Sequence, residues 1–582
     1  MESNIGLVRD VLARYSIYIF VAYIIVVLSR EFFFHPLRHY PGPFIARFTN
    51  GYGAFYALKR TLHLVTREDH LKYGPVIRHG PNKLVFNSAT ALAQIYNNDR
   101  ITKPVAYLSN QVTPGVFNVW SALDRDLHRQ KRKLIGPAVN DRSMRAFEPT
   151  MIEQVDILVK IVAQSQGRPI DMSWRCNYLG MDVVGLLSFG FALNSQENEQ
   201  YRFLSDKMAP NNRRLNAVMQ VPSIARYRLQ VPINMIWQRS RQPVFDLLEL
   251  MIKKRTVQPP DAHHDLWSFI AESMKTDEGK DLQARDLWME AIFFIVAGGD
   301  TTATGMAAAL FYISRHRHCY DKLAHEIRSA FQSGAEIGGP KLAACSYLRA
   351  CIDETLRMSP PLPGLLWRQL AAEEEGEGKP PLVIDGHVVP PGTDVAVGVY
   401  ALHHNEDYFP DPFTYRPERW LGAADEIEEG APGSRRAMLD AFAPFSVGAR
   451  ACGGKAMAYL EISLLLAKLL WYFDFRPAPG ARGDVGRGDK GEFRIHDVFV
   501  STNEGPWLVF EPREAAQTLE QRRRNAKFVK EQDARRGKSE TDIKKRSKEQ
   551  FKSPISLFWL GILGFIVFGG LIFEVLSRIF FR

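Results

Sequence analysis

The sequence predicts a mainly α-helical chain with a smaller β-rich region and an apolar helix at each end. Three observations predict it. Between Glu148 and Lys275, segments such as ILVKIVAQ and VFDLLELMIKKR repeat apolar residues at i, i+3 and i+4, the spacing of packed helices. Leu287 to Ile313, LWMEAIFFIVAGGDTTATGMAAALFYI, is apolar all round and too long for a surface helix, so it should cross the core. Short alternating segments broken at Gly80–Pro81, Asp385–Gly386 and Asn503–Gly505 read as strand pairs.

Composition sets the class. The 582 residues are 46% hydrophobic and 24% charged, values of a globular protein. Five cysteines, Cys176, Cys319, Cys345, Cys351 and Cys452, are an odd number without regular spacing. That argues against a disulfide framework and for a reducing, cytosol-facing domain. The net charge of +10 is uneven: Arg513 to Lys552 holds 14 Lys+Arg against 7 Asp+Glu, so most of the excess lies there. The remainder is close to neutral, and nothing in it calls for a nucleic-acid partner.

Residues 1–34 read as an N-terminal membrane anchor. Tyr15 to Ser29, YSIYIFVAYIIVVLS, carries no charge, and Val11 to Ala13 with a snorkelling Arg14 extend it towards the roughly 20 residues of a span. No small-residue cleavage site follows, which points to a retained anchor. Pro36, Pro41 and Pro43 then form a stiff connector. Asn50 to Leu71 reads as helix, Pro75 to Ser88 as a strand pair, and Ala89 to Tyr96 as helix again. Lys103 to Ala122 reads as an apolar, aromatic loop. In the basic segment that follows, His128 and Arg132 are one helical turn apart and share a face.

Gly298, Gly299, Asp300, Thr301 and Thr302 interrupt the core helix. Glycine there costs about 1 kcal/mol relative to alanine, and a buried carboxylate costs more unless paired. A rule broken in mid-helix points to function rather than packing. Thr301 can bond back to a carbonyl and open the helix locally, and Asp300 can relay protons towards the gap. Further on, Glu354 and Arg357 have the i, i+3 spacing of an ion pair, a weak signal alone.

The most specific stretch is PFSVGARACGGKAMA, Pro444 to Ala458. Cys452 lies just ahead of a helix-forming run ending near Phe473, where unpaired N–H groups and the helix dipole favour a thiolate. Gly448, Gly453 and Gly454 allow the backbone to approach something flat, and Arg450 adds a fixed cation. A soft anionic ligand beside a cation suits an iron porphyrin bearing carboxylates. The string fits Phe-x-x-Gly-x-Arg-x-Cys-x-Gly at Phe445, Gly448, Arg450, Cys452 and Gly454. It resembles the haem-thiolate signature of the cytochrome P-450 family. With AGGDTT, Glu354/Arg357, Arg368 and Arg419 in the expected order, the resemblance runs over residues 35–512.

The resemblance implies a mainly α cytochrome P-450 fold holding haem b, with Cys452 as the axial iron ligand. By it Phe445 packs beside the sulfur, Gly448 belongs to the cofactor loop and Arg450 meets a propionate. Arg132 does so too, with His128 where the family usually has Trp, and Arg368 meets the second propionate. Asp300 and Thr301 would serve oxygen activation, while Glu354, Arg357 and Arg419 would lock the haem-side loop. Val116, Phe117, Trp120, Gly364, Leu365 and Leu366 would line the substrate pocket. The implied reaction inserts one atom of dioxygen (O2) into an apolar small molecule, with electrons from NADPH through a separate reductase docking near Arg450 and Lys455. Tailoring of a polyketide, terpene or alkaloid is the expected role. A housekeeping sterol or fatty-acid hydroxylase, a reductase-independent haem-thiolate isomerase and a translocon-associated protein with a vestigial haem domain are the alternatives.

Residues 513–553 read as a basic cytosolic linker and residues 554–582 as a transmembrane tail anchor, with Ile555 to Leu576 almost wholly apolar. RRRNAKF, Arg522 to Phe528, and the apolar end resemble the stress-associated endoplasmic reticulum (ribosome-associated membrane protein) family. That implies an endoplasmic reticulum membrane location, a cytosolic catalytic domain and contact with the translocon or ribosome.

Overall fold

The computed structural model describes residues 15–16, 18, 20–111, 115–259, 262–263, 265–273, 284–376, 378–422 and 433–513. The expected anchor start, linker and tail anchor lie outside them. Residues 20–29 are helical and expose Phe20, Ile25 and Val26. Their continuation, Arg30–Phe34, buries Glu31 against Arg78 at 2.8 Å.

The first half contributes helices α1 (Gly51–Leu58), α2 (Leu62–Tyr73), α3 (Ala89–Tyr96), α4 (Arg125–Ile135), α5 (Asp141–Ala163) and α6 (Met172–Phe189). Next come α7 (Phe203–Met219), α8 (Gln230–Thr256), α9 (Leu266–Ser273) and α10 (Ala284–Arg315). The last long helices are α11 (Arg317–Ala330), α12 (Ser346–Met358) and α13 (Lys455–Tyr472). The expected helix over Asn50 to Leu71 is two helices. Arg60 adopts a left-handed φ of 64° between them, and its carbonyl accepts the N–H of Asp497 at 2.9 Å. A tertiary hydrogen bond outweighs local propensity there.

The sheets are small. β1 (Val76–Gly80) and β2 (Lys83–Phe86) pair antiparallel as expected, while β3 (Ile101–Thr102) meets β5 (Gln369–Leu370). The hairpin β6 (Leu382–Ile384) to β7 (His387–Val389) turns at Asp385 and Gly386, both at positive φ. β8 (Asp394–Val397) runs parallel to β2, and the following VYALH forms a helical turn, Val399–His403, in place of a strand. The expected strand pair around Asn503–Gly505 does not form. β11 (Thr502–Asn503) pairs with β10 (Ile495–His496), whereas β12 (Trp507–Pro512) lies between β4 (Ile170–Asp171) and β9 (Phe473–Pro477). The partners of β12 are distant in sequence, so local pattern carries no trace of them.

α10 crosses the core as expected, with Met306 to Ile313 fully buried among α5, α6, α12 and α13. Among the described residues, one helix is long and apolar enough to span a membrane. It is Ile292–Arg315, most of which is inside the fold. Its glycines correct the reading of a broken rule. A Cβ on Gly299 would meet Met181 at 2.8 Å, one on Gly298 would meet Val184 at 2.8 Å, and one on Gly180 would meet the Gly299 carbonyl at 2.7 Å. Gly298 and Gly299 let α6 and α10 touch, and Gly298 also lines a cavity beside Thr301. The helix also stays continuous through this segment rather than opening.

Candidate active site

Cys452 sits in a loop shaped by its own backbone. Its N–H donates to the Phe445 carbonyl at 2.9 Å, and Ser446 N–H donates to the Ala443 carbonyl at 3.0 Å. Gly448 takes a φ of 78°, and a Cβ there would lie 2.0 Å from the Tyr96 carbonyl oxygen, so no other residue fits. Gly454 then caps α13. Cys452 faces a cavity of about 610 Å³ and has exposed surface there. The fold encloses it densely enough that burial pushes its thiol above the ordinary value, against the Gly454 N–H, Arg132 and Lys455. Burial thus opposes the thiolate-favouring helix terminus expected from sequence.

The same cavity is lined by Thr301, Phe445, Arg450, His128, Arg132, Trp120 and Leu366. Thr301 Oγ1 donates to the Ala297 carbonyl at 2.7 Å, the back-bond its position predicts. The Phe445 ring packs 5.2 Å from that of Tyr459. Val116, Phe117, Gly364 and Leu365 do not line the cavity. Val116 packs into a cluster with Met181 and Phe189, Leu365 into one with Trp367, and a Cβ on Gly364 would face Asp497.

Asp300 does not line it either. Its carboxylate points to α6, where Asn177 Nδ2 donates to it at 2.9 Å, and burial pushes it up to about 6. Being raised, it stabilises the fold fully below the ordinary carboxylate range and loses that contribution as pH rises through about 6. Asp300→Asn keeps the shape without the charge. At pH 7 it should resist urea better than the parent by on the order of 2–3 kcal/mol. Equal stabilities would show that Asp300 ionises without penalty.

Around the cavity floor stands a cluster of cations. Arg450 donates to the carbonyls of Ala122 (2.6 Å) and Leu123 (2.8 Å). Arg368 donates to the Trp367 carbonyl at 2.9 Å and Tyr107 Oη at 3.3 Å, behind the lining residues. Arg132 Nη1 occupies the space a Gly453 side chain would need. Burial pushes His128 down to about 3, helped by Arg450, Lys103, Arg132 and Arg368, so its ring is neutral. Lys103, which the sequence reading missed, is buried with its ammonium 3.9 Å over the Trp120 ring. Burial lowers it well below its ordinary value, reinforced by Arg368 and Arg450. Among the described residues no carboxylate bonds to any of these five groups. Arginines held together with no bonded carboxylate suit a ligand bearing carboxylates, and Cys452 supplies a soft donor beside them. The residues therefore fit a haem.

Glu354 anchors the loop from behind. It accepts from Arg357 Nε and Nη2 (both 2.9 Å), Arg419 Nε (3.0 Å), the Arg416 N–H (3.0 Å) and Trp420 Nε1 (3.1 Å). Arg357 Nη1 continues to the His403 carbonyl at 2.9 Å. His403 Nδ1 donates to the Arg357 carbonyl at 3.1 Å, and its Nε2 accepts the Ala443 N–H at 3.0 Å, at the base of the cysteine loop. His403 had no sequence signal, because either histidine of VYALHH looks like any core residue.

A family model described as Cytochrome P450 matches residues 41–485, and one described as Ribosome associated membrane protein RAMP4 matches residues 516–579. Cytochrome P450 monooxygenase apf7 of Gibberella fujikuroi is 31% identical over 538 residues, covering 86% of this chain and 98% of its own. Cytochrome P450 monooxygenase poxM of Penicillium oxalicum is 33% identical over 508 residues, covering 86% of this chain and 94% of its own. Cytochrome P450 monooxygenase atnE of Emericella nidulans is 31% identical over 502 residues, with 83% and 93% covered.

Proposed function

The chain belongs to the cytochrome P450 monooxygenase family, and from that premise we propose that it is a membrane-bound enzyme that oxygenates an apolar small molecule in secondary metabolism. The observation that carries this reading is the single cavity shared by Cys452, Thr301 and the cation cluster. When bound, haem supplies the activation of dioxygen, with electrons delivered by a reductase. Haem b suits the site because no cysteine pair near Cys452 could attach the ring covalently.

Cys452 would hold the iron from the loop ahead of α13, with Phe445 shielding the sulfur. Arg132, His128, Arg450 and Lys103 would hold the carboxylates of the group, with Arg368 adding its charge from behind the lining. Thr301 Oγ1 would hold a proton at the cavity wall, and Asp300 would keep one in reserve up to about pH 6. The walls of Ile292, Phe293, Val296, Leu248 and Met208 would exclude water around an apolar substrate. The relatives above are fungal cytochrome P450 monooxygenases; a polyketide, terpene or alkaloid is the substrate class proposed for this chain, and a sterol or fatty acid is the competing one. The RAMP4 match and the basic linker support an endoplasmic reticulum anchor with the catalytic domain in the cytosol, and NADPH is the proposed electron source of the reductase.

The decisive test is the reduced, carbon monoxide-bound difference spectrum of the full chain in membranes. A strongly red-shifted Soret band is expected, and its absence in well-expressed protein would overturn the proposal. Thr301→Ala should cut product formed per NADPH at least about tenfold, the electrons going to hydrogen peroxide. Undiminished coupling would remove Thr301 from proton delivery.

A further inference from the structure

Residues 118–121 form a closed turn on the cavity wall. Asn118 N–H donates to Ser121 Oγ at 3.0 Å, and Ser121 N–H donates to Asn118 Oδ1 at 2.8 Å. Two bonds fasten this turn to α10: Val119 N–H donates to Glu290 Oε2 at 3.0 Å, and Asn118 Nδ2 donates to the Met289 carbonyl at 3.4 Å. The other oxygen of Glu290 lies 3.2 Å from Lys131 Nζ on α4, and these two side chains are 6% and 4% exposed. One buried carboxylate thus ties together three elements that all contribute to the cavity wall.

Trp120 stands at the centre of the fastened turn. Its ring stacks on Phe293 at 6.2 Å and 11°, and meets the Phe499 ring edge-on at 5.5 Å. Phe293 follows Glu290 by three residues, so the charge and the stacking partner share a face of α10. Phe499 is itself held at a φ of 80°, a strained value for a bulky residue, with its N–H donating to Asp497 Oδ1 at 3.0 Å. Packing alone has no use for a buried charge here, since an apolar pair of similar volume is often as stable. A fixed geometry does have a use for it, because a charged acceptor bonds an amide more strongly than a neutral one.

We infer that Glu290 is a positioning residue that fixes Trp120 as a rigid cavity wall and so sets the size of substrate admitted. Lys131 lies between His128 and Arg132 on α4, so the same ion pair couples the substrate wall to the helix that bears on the cofactor site. This inference rests on the cavity being the substrate and haem site, and its test separates the two.

The full chain, with Glu290→Ala, Glu290→Gln and Trp120→Leu, is followed by hydrogen exchange over residues 116–123 and by Soret titration with imidazole and 4-phenylimidazole. Glu290→Ala should speed exchange at the Val119 amide by about tenfold or more and weaken 4-phenylimidazole about tenfold, leaving imidazole within about twofold. Glu290→Gln keeps an acceptor oxygen and should restore most of the protection. Trp120→Leu should reproduce the 4-phenylimidazole change with Glu290 in place, which keeps the test open should Glu290→Ala fold poorly. Unchanged exchange in Glu290→Ala, or equal weakening of both probes, overturns the inference. If the parent gives no Soret shift with imidazole, the haem-site reading fails, and the exchange result still decides whether Glu290 holds the wall.

Discussion

Cys452→Ala is expected to abolish the red-shifted Soret band of the reduced, carbon monoxide-bound protein and all measurable turnover with it. Cys452 is the one cysteine among the described residues that lines the cavity; Cys176, Cys319, Cys345 and Cys351 are buried elsewhere and cannot replace it. Its loop is held by backbone hydrogen bonds and by His403, so an alanine leaves the fold intact and removes only the donor. Loss of the band should therefore come with an unchanged far-ultraviolet circular dichroism spectrum. Cys452→His sharpens the test, since an imidazole ligand in the same place should give a band without the thiolate shift. A variant lacking Cys452 that kept the parent spectrum would show that another residue ligates the iron.

Glu354→Ala should have the second large effect, on stability. Burial opposes ionisation of Glu354, but Arg357 and Arg419 outweigh it and hold the carboxyl below the usual range. Being lowered, it contributes stability above the ordinary carboxylate range, and that contribution is lost as pH falls through its folded value. Removing it leaves two buried guanidinium groups, an indole N–H and a backbone N–H without their acceptor. Breaking a buried ion pair costs about 3–5 kcal/mol, against a total stability of about 5–15 kcal/mol for a typical domain. The urea midpoint should fall sharply, and little protein should retain a thiolate Soret band, because the Arg357–His403–Ala443 chain that supports the cysteine loop starts at Glu354. A parent-like midpoint would reduce the cluster to decoration. Asp300 makes the contrast: it is also buried, but with only Asn177 as a hydrogen-bond partner its carboxyl is raised rather than lowered.

Much of this was legible in the chain. Ala89–Tyr96, the crossing of the core by α10, the hairpin at Asp385–Gly386 and the start of α13 just beyond Cys452 follow from patterns a few residues long. The Phe445–Gly454 string and the Glu354–Arg357 spacing are equally local, and Arg419 joins them only because a family resemblance supplies the long-range pairing. Local periodicity states which face of an element is buried, and it says nothing about what the face is buried against.

The rest depended on what long loops bring together. Gly298 and Gly299 are where α6 packs on α10, and Val116 and Leu365 sit one layer behind the cavity they were expected to line. Lys103, His403 and Glu290 carry no motif, and each takes its meaning from neighbours between 17 and 171 residues away. Sequence by itself determined that Cys452 lies in a glycine-rich loop just ahead of α13, because both are set by nearest neighbours. Only the tertiary structure decided which charges surround the cofactor site and which side chains form its wall, because those contacts form after the chain has closed on itself.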